Sequence, residues 1–122
     1  MIEEGKPLFV QIAEHVEDSI VDGTLADDER APSTNELAAF YRINPATAAK
    51  GINMLVDKAV LVKRRGVGMF VAPGARALLL AERRQAFADR YVQPLVIEAG
   101  KLGLTAEDVA QLFRERAATL AT

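Results

Sequence analysis

The chain has no cysteine and one histidine, and each shortage removes a class of chemistry. Without thiols there is no disulfide framework and no thiolate metal site, and His15 alone cannot build a histidine-rich metal cluster or a Ser-His-Asp triad. No apolar run reaches the roughly 20 residues that span a bilayer. The acidic start Met1-Ile2-Glu3-Glu4 is unlike a signal peptide, so a cytoplasmic protein with no membrane partner is expected. A phosphate-cradling loop is missing too, because Gly66-Val67-Gly68 lacks the following helix that GxGxxG needs. Convergent acids are scarce: Glu98, Glu107 and Asp108 are explained by helix ends, and His15, set among acids, reads as a solvated surface residue. The expectation is a protein that is not an enzyme and carries no metal or cofactor.

What is present is compact and mostly helical. The 122 residues suffice for one domain with a proper core and a small appendage, and half of them are apolar while a quarter are charged. The net charge of -2 hides an asymmetry. Up to Tyr41 the only bases are Lys6 and Arg30, against ten acids: Glu3, Glu4, Glu14, Glu17, Asp18, Asp22, Asp27, Asp28, Glu29 and Glu36. From Arg42 to Val71 the bases are Arg42, Lys50, Lys58, Lys63, Arg64 and Arg65, and the only acid is Asp57. With a Debye length near 8 Å at physiological salt, a polyanion meeting that stretch would be little affected by acids on the far side.

Along the chain, Pro7 suits a first helical turn, and Leu8, Ile12, Val16 and Ile20 recur at helical spacing, predicting a helix over 8–22 that Gly23 stops. After the polar loop Asp27-Asp28-Glu29-Arg30, Ser33 and Glu36 form a capping box for a helix over about 34–40, with Phe40 and Tyr41 expected in the core. Asn44 and Pro45 then cap and start a third helix over about 45–59, with Ala48, Ile52, Leu55 and Val56 facing inward. Residues 60–63 and 69–71 are β-rich around the tip Arg64-Arg65-Gly66, which predicts a hairpin. This order is that of a winged helix-turn-helix, assigned to residues 1–73.

Pro73-Gly74 marks the boundary to a tail over 74–122. A long helix over 76–102 should bend or split at Pro94, and a second box from Thr105 to Asp108 starts a last helix. Two helices make a poor core, so Leu79 (or Leu78), Phe87, Tyr91, Leu95, Leu102, Val109, Leu112 and Phe113 are expected to pack against a second subunit.

In a helix-turn-helix the N-terminal end of the second paired helix enters the major groove of DNA. Asn44, Ala46, Thr47 and Lys50 occupy that end, Thr34 and Asn35 would face the sugar-phosphate backbone, and Arg64, Arg65 and Gly66 would bring a wing tip to the minor groove. The rival reading is a winged helix that uses the same face on an acidic protein partner.

These motifs resemble the GntR family of bacterial transcription regulators: Pro7-Leu8 with Gln11-Ile12, Ala31-Pro32-Ser33 with Glu36-Leu37-Ala38, and 66–71 fall in order at family spacing. Asn44-Pro45-Ala46-Thr47 and Leu102-Gly103-Leu104-Thr105 are similar to its YtrA-like short-tail branch. The resemblance implies a homodimeric repressor on a palindromic operator, often governing its own operon with transporter genes of the ABC class, with DNA contacts on Thr34, Asn35, Asn44, Ala46, Thr47, Lys50, Arg65 and Gly66. Asn35 stands where the wider family usually has arginine, and Pro45 and Ala49 fill positions that are often arginine in its larger branches, which shifts the expected affinity toward Lys50 and the wing. Any small-molecule effector is unidentified and is expected at the dimer seam or between head and tail.

Overall fold

The structure is a computed structural model that describes residues 5–121, so the acidic start Met1 to Glu4 lies outside the described residues. It divides into two compact units, Met1–Glu82 and Arg83–Thr122, here called head and tail.

In the head, α1 (Leu8–Val21) buries Ile12, Ala13, Val16 and Ile20 on one face. Pro7 directly precedes it, and its carbonyl accepts from the Val10 and Gln11 amides. Helix α2 (Thr34–Tyr41) starts on the predicted box: the Glu36 amide donates to Ser33 Oγ at 3.0 Å and the Ser33 amide to Glu36 Oε1 at 2.9 Å. The backbone N–H of Ser33, with its side chain, holds the Glu36 carboxyl below its ordinary range. Arg42 turns the chain in the left-handed region (φ 56°) into α3 (Pro45–Asp57), whose Ala48, Gly51, Ile52 and Leu55 are buried against α1 and α2.

Strands β1 (Leu61–Arg64) and β2 (Gly68–Val71) pair antiparallel from Leu61 opposite Val71 to Arg64 opposite Gly68. The polar loop is part of this wing rather than free of it: Arg30 bridges Phe70, the Ala31 amide donates to the Met69 carbonyl, and Val71 donates back to Glu29. That third extended piece arises from pairing across forty residues of sequence, which local periodicity does not reveal.

The head also claims the start of α4 (Ala75–Phe87). Asp27 caps it from afar, accepting from the Gly74 amide at 2.8 Å, and Arg76 Nε donates to the Val21 carbonyl at 3.1 Å. Leu79 is 0% exposed within the head core, which corrects its assignment to a subunit seam: a side chain already enclosed there has no surface to offer a partner.

Lys58, counted above with the DNA-facing bases, is a clamp instead. Its ammonium donates to Glu17 of α1 and to Glu82 of α4, both at 2.7 Å, and Glu17 is only 6% exposed. Burial pulls the ammonium's pKa down, but hydrogen bonds and charge from the two glutamates outweigh it and leave it above 10.5. While the two glutamates are ionised, the stability from the lysine's charge is therefore fully present below about 10.5 and is lost as pH rises through the higher folded value. Lys58→Met strands the Glu17 carboxylate and is expected to remove about 2 kcal/mol of unfolding free energy, measured by urea titration. That is less than a fully buried pair would lose, because Lys58 keeps some contact with water.

In the tail a π-helical turn, Ala88–Val92, joins α4 to α5 (Gln93–Lys101). Pro94 has no N–H and its ring crowds the carbonyl four residues back. Widening the turn so that the Gln93 amide donates to the Ala88 carbonyl accommodates the ring without splitting the helix. Helix α6 (Ala106–Leu120) starts on the Thr105–Asp108 box, with the Asp108 amide 3.1 Å from Thr105 Oγ1 and the Thr105 amide 2.9 Å from Asp108 Oδ2. Among the described residues of the tail only Ala99 is a buried hydrophobic residue. Among all described residues no helix is long and apolar enough to cross a membrane.

Candidate nucleic-acid interface

Helix α3 separates its residues by face. Ala48, Ile52 and Leu55 are buried, while Asn44, Ala46 and Lys50 are exposed and Thr47 is half-buried. Asn44 Oδ1 accepts from the Ala46 amide at 2.8 Å, so the oxygen is committed to capping and the side-chain NH2 group is what can reach outward. Lys50 lies with Nζ 4.2 Å from the centre of the Phe9 ring, a cation–π contact that holds the charge beside α1. Thr34 and Asn35 form the first turn of α2, the former half-buried and the latter exposed.

The two wing arginines differ. The Arg64 guanidinium stacks 4.2 Å over Phe70 and stands 3.6 Å from Asp28. Arg65, exposed at the tip, has no ion pair or ring contact among the described residues. Gly66 (φ 77°) and Gly68 (φ 137°) adopt backbone conformations that favour glycine, and Arg30 packs over Gly68, where an added Cβ would stand 3.2 Å from Nε. Arg30 is thus a further cation on the wing that sequence reading placed in a loop.

The aromatic prediction for α2 holds for Tyr41, half-buried against the core, and fails for Phe40, which is 77% exposed. Leu37 and Ala38 take the inner face, so Phe40 projects outward. His15, rather than being simply solvated, shares a 2.8 Å hydrogen bond with the Tyr41 hydroxyl.

Residues 8–71, more than half of the chain, match the bacterial regulatory proteins of the gntR family. The chain belongs to that family. As a GntR member it is a DNA-binding transcriptional regulator and not an enzyme. It is 24% identical over 109 residues to the HTH-type transcriptional repressor YtrA of Bacillus subtilis, covering 89% of this chain and 83% of the relative. A GntR-family transcriptional regulator from Bacteroides thetaiotaomicron superposes with a TM-score of 0.74 at 26% identity, over 93% of this chain and 98% of that one. The DNA-binding domain of AraR, solved in complex with operator ORX1, superposes with a TM-score of 0.54 at 30% identity, over 59% of this chain and 87% of that one. The first two of these likenesses span more residues than the head contains and so extend into the tail.

Proposed function

We propose that this regulator is a cytoplasmic homodimeric repressor that binds a palindromic operator, at its own operon and with ABC-transporter genes among its targets. The observation that carries the dimer is the tail's apolar hollow of about 430 Å³ between α5 and α6, walled by Leu95, Ala99, Leu102, Val109, Leu112 and Phe113. Phe87 and Tyr91 are also more than half exposed. So much apolar surface on so small a unit is the mark of an interface, and a second copy is the occupant that also explains a two-fold operator.

On DNA, the exposed turn of α3 from Asn44 to Lys50 enters the major groove, Thr34 and Asn35 meet the backbone, and Arg64, Arg65 and Gly66 reach the minor groove. Asn44 reads with its amide donors and not with its capping oxygen. Arg64 contributes less than Arg65, because Asp28 and Phe70 already hold it.

Footprinting on the promoter of its own operon tests this reading. Two protected patches about 34 Å apart, or a multiple of that, are expected; a single patch, or none above that on random duplex, overturns it. Within that assay Arg65→Ala is expected to weaken operator binding and to reduce the slope of log affinity against log salt by about 1, as loss of one cation that displaces a condensed counterion does. An unchanged slope removes Arg65 from the interface.

A further inference from the structure

The head carries a second feature that DNA binding does not use. Helices α1 and α2 both pack on α3, and between them lies an open trough of about 660 Å³. Its apolar surface comes from Val16, Leu25, Pro32 and Leu37. Phe40 and Tyr41 stand edge-to-face at its side with ring centroids 4.9 Å apart, and the hydrogen bond between His15 and Tyr41 fixes the phenol there.

Among the residues lining the trough Glu36 is the one acid, and no lysine or arginine stands with it. One oxygen of its carboxylate accepts from the Ser33 amide, and the two Ser33 contacts, with a smaller contribution from the charge of Arg30, hold its pKa down and keep it ionised near neutrality. Burial, and then the charge of Asp18, push the Tyr41 hydroxyl up, so the phenol stays neutral while a second carboxylate acts on the same ring. An anion would meet the Glu36 carboxylate, and a strongly hydrated ion would gain nothing from the apolar floor. A cation with an apolar body meets aromatic faces, a carboxylate and greasy walls together. The volume lies within the roughly 300–1,000 Å³ range of ligand pockets.

We propose that the α1–α2 trough is a binding site for a lipophilic organic cation, an aromatic body bearing one quaternary or delocalised positive charge, with Phe40 and Tyr41 against its rings and Glu36 opposing its charge.

The full chain, free of DNA, is titrated with tetraphenylphosphonium and with tetraphenylborate, an anion of nearly the same size and shape, by calorimetry and amide NMR. Tetraphenylphosphonium is expected to shift the amides of His15, Ser19, Phe40 and Tyr41 and to bind at least about tenfold tighter than the borate, the scale of a desolvated cation–π contact. Phe40→Ala, at an exposed position, should weaken the phosphonium about tenfold. Glu36→Gln keeps the capping box, which glutamine also completes, and should weaken it several-fold. Equal or tighter binding of the borate, shifts clustered elsewhere, or unchanged affinity in Phe40→Ala each overturn the proposal. So does a Leu- and Arg-rich peptide that moves these amides when the phosphonium does not, or movement with protein concentration alone, which would give the trough to a protein partner or a second copy. Binding is read without DNA, so its failure leaves the repressor reading standing.

Discussion

Gly51→Val is expected to weaken the head by about 3 kcal/mol, lowering its thermal midpoint by about 15 °C. Gly51 sits in the middle of α3 on the face turned to α1. A Cβ there would stand 2.8 Å from the Phe9 carbonyl oxygen, 3.6 Å from the Ala13 amide nitrogen and 3.6 Å from Ile12 Cβ. The first two are backbone atoms of a helix, which cannot swing aside as a side-chain tip would. To make room, α1 has to lift off α3, which loosens Ile12, Ala13 and Val16 from Ala48, Ile52 and Leu55. Glycine costs a helix interior about 1 kcal/mol relative to alanine, so the residue is kept for close approach and not for helix strength. Gly100 is the contrast: its φ is ordinary and nothing lies within 4 Å of an added Cβ. Gly100→Ala should therefore leave stability unchanged or raise it by about 0.5 kcal/mol. Urea titrations of both variants check the pair, and a Gly51→Val head as stable as the parent would mean that the α1–α3 approach is not close.

The features legible from sequence were those whose cause is local. Ser33 with Glu36, Thr105 with Asp108, and Asn44 satisfy orphan N–H groups a few residues away, and Pro45 after Asn44 has no N–H to leave orphaned, so their spacing alone locates three helix starts. The hairpin tip is marked in the same way by its glycines. What was not legible depends on partners distant in the chain. Arg30 reads as loop because its bridge to Phe70 spans forty residues, and Lys58 reads as a surface base because Glu17 is as far away. Leu79 has the same composition context as the exposed leucines around it, and only the Asp27 cap and the Arg76 contact, which lay the first turns of α4 on the head, settle its direction. At the site, sequence names the exposed tips and misses what restrains them. Phe9 draws Lys50 back, Asp28 and Phe70 hold Arg64, and Asn44 spends its oxygen on its own helix. The proposed DNA face thereby rests more on Arg65 and on the exposed turn of α3 than a count of basic residues suggests.

A chain carrying Leu95→Lys together with Phe113→Lys is expected to sediment as a monomer and to bind its operator about 100-fold more weakly. Both side chains wall the tail hollow, and Phe113 is 71% exposed, so neither change removes a buried contact of the isolated tail. Helix content by circular dichroism should stay the same. In the paired state, two lysines in each copy would have to be desolvated in a seam that is apolar apart from Glu98 and Arg116 at its walls, and one carboxylate per copy does not offset two buried ammoniums. Operator binding suffers because the second head of a dimer binds at an effective concentration set by the first, a gain of roughly 10²–10⁴ that a monomer lacks. Each separate head should still bind a half-site, with a salt slope about half that of the parent, since phosphate contacts are halved while their nature is unchanged. That combination separates loss of pairing from loss of the head: a damaged head would lose half-site binding as well. If the doubly substituted chain remains a dimer with the parent's affinity, the tail hollow is not the seam, and two-fold operator recognition would have to come from head-to-head contact on the DNA itself.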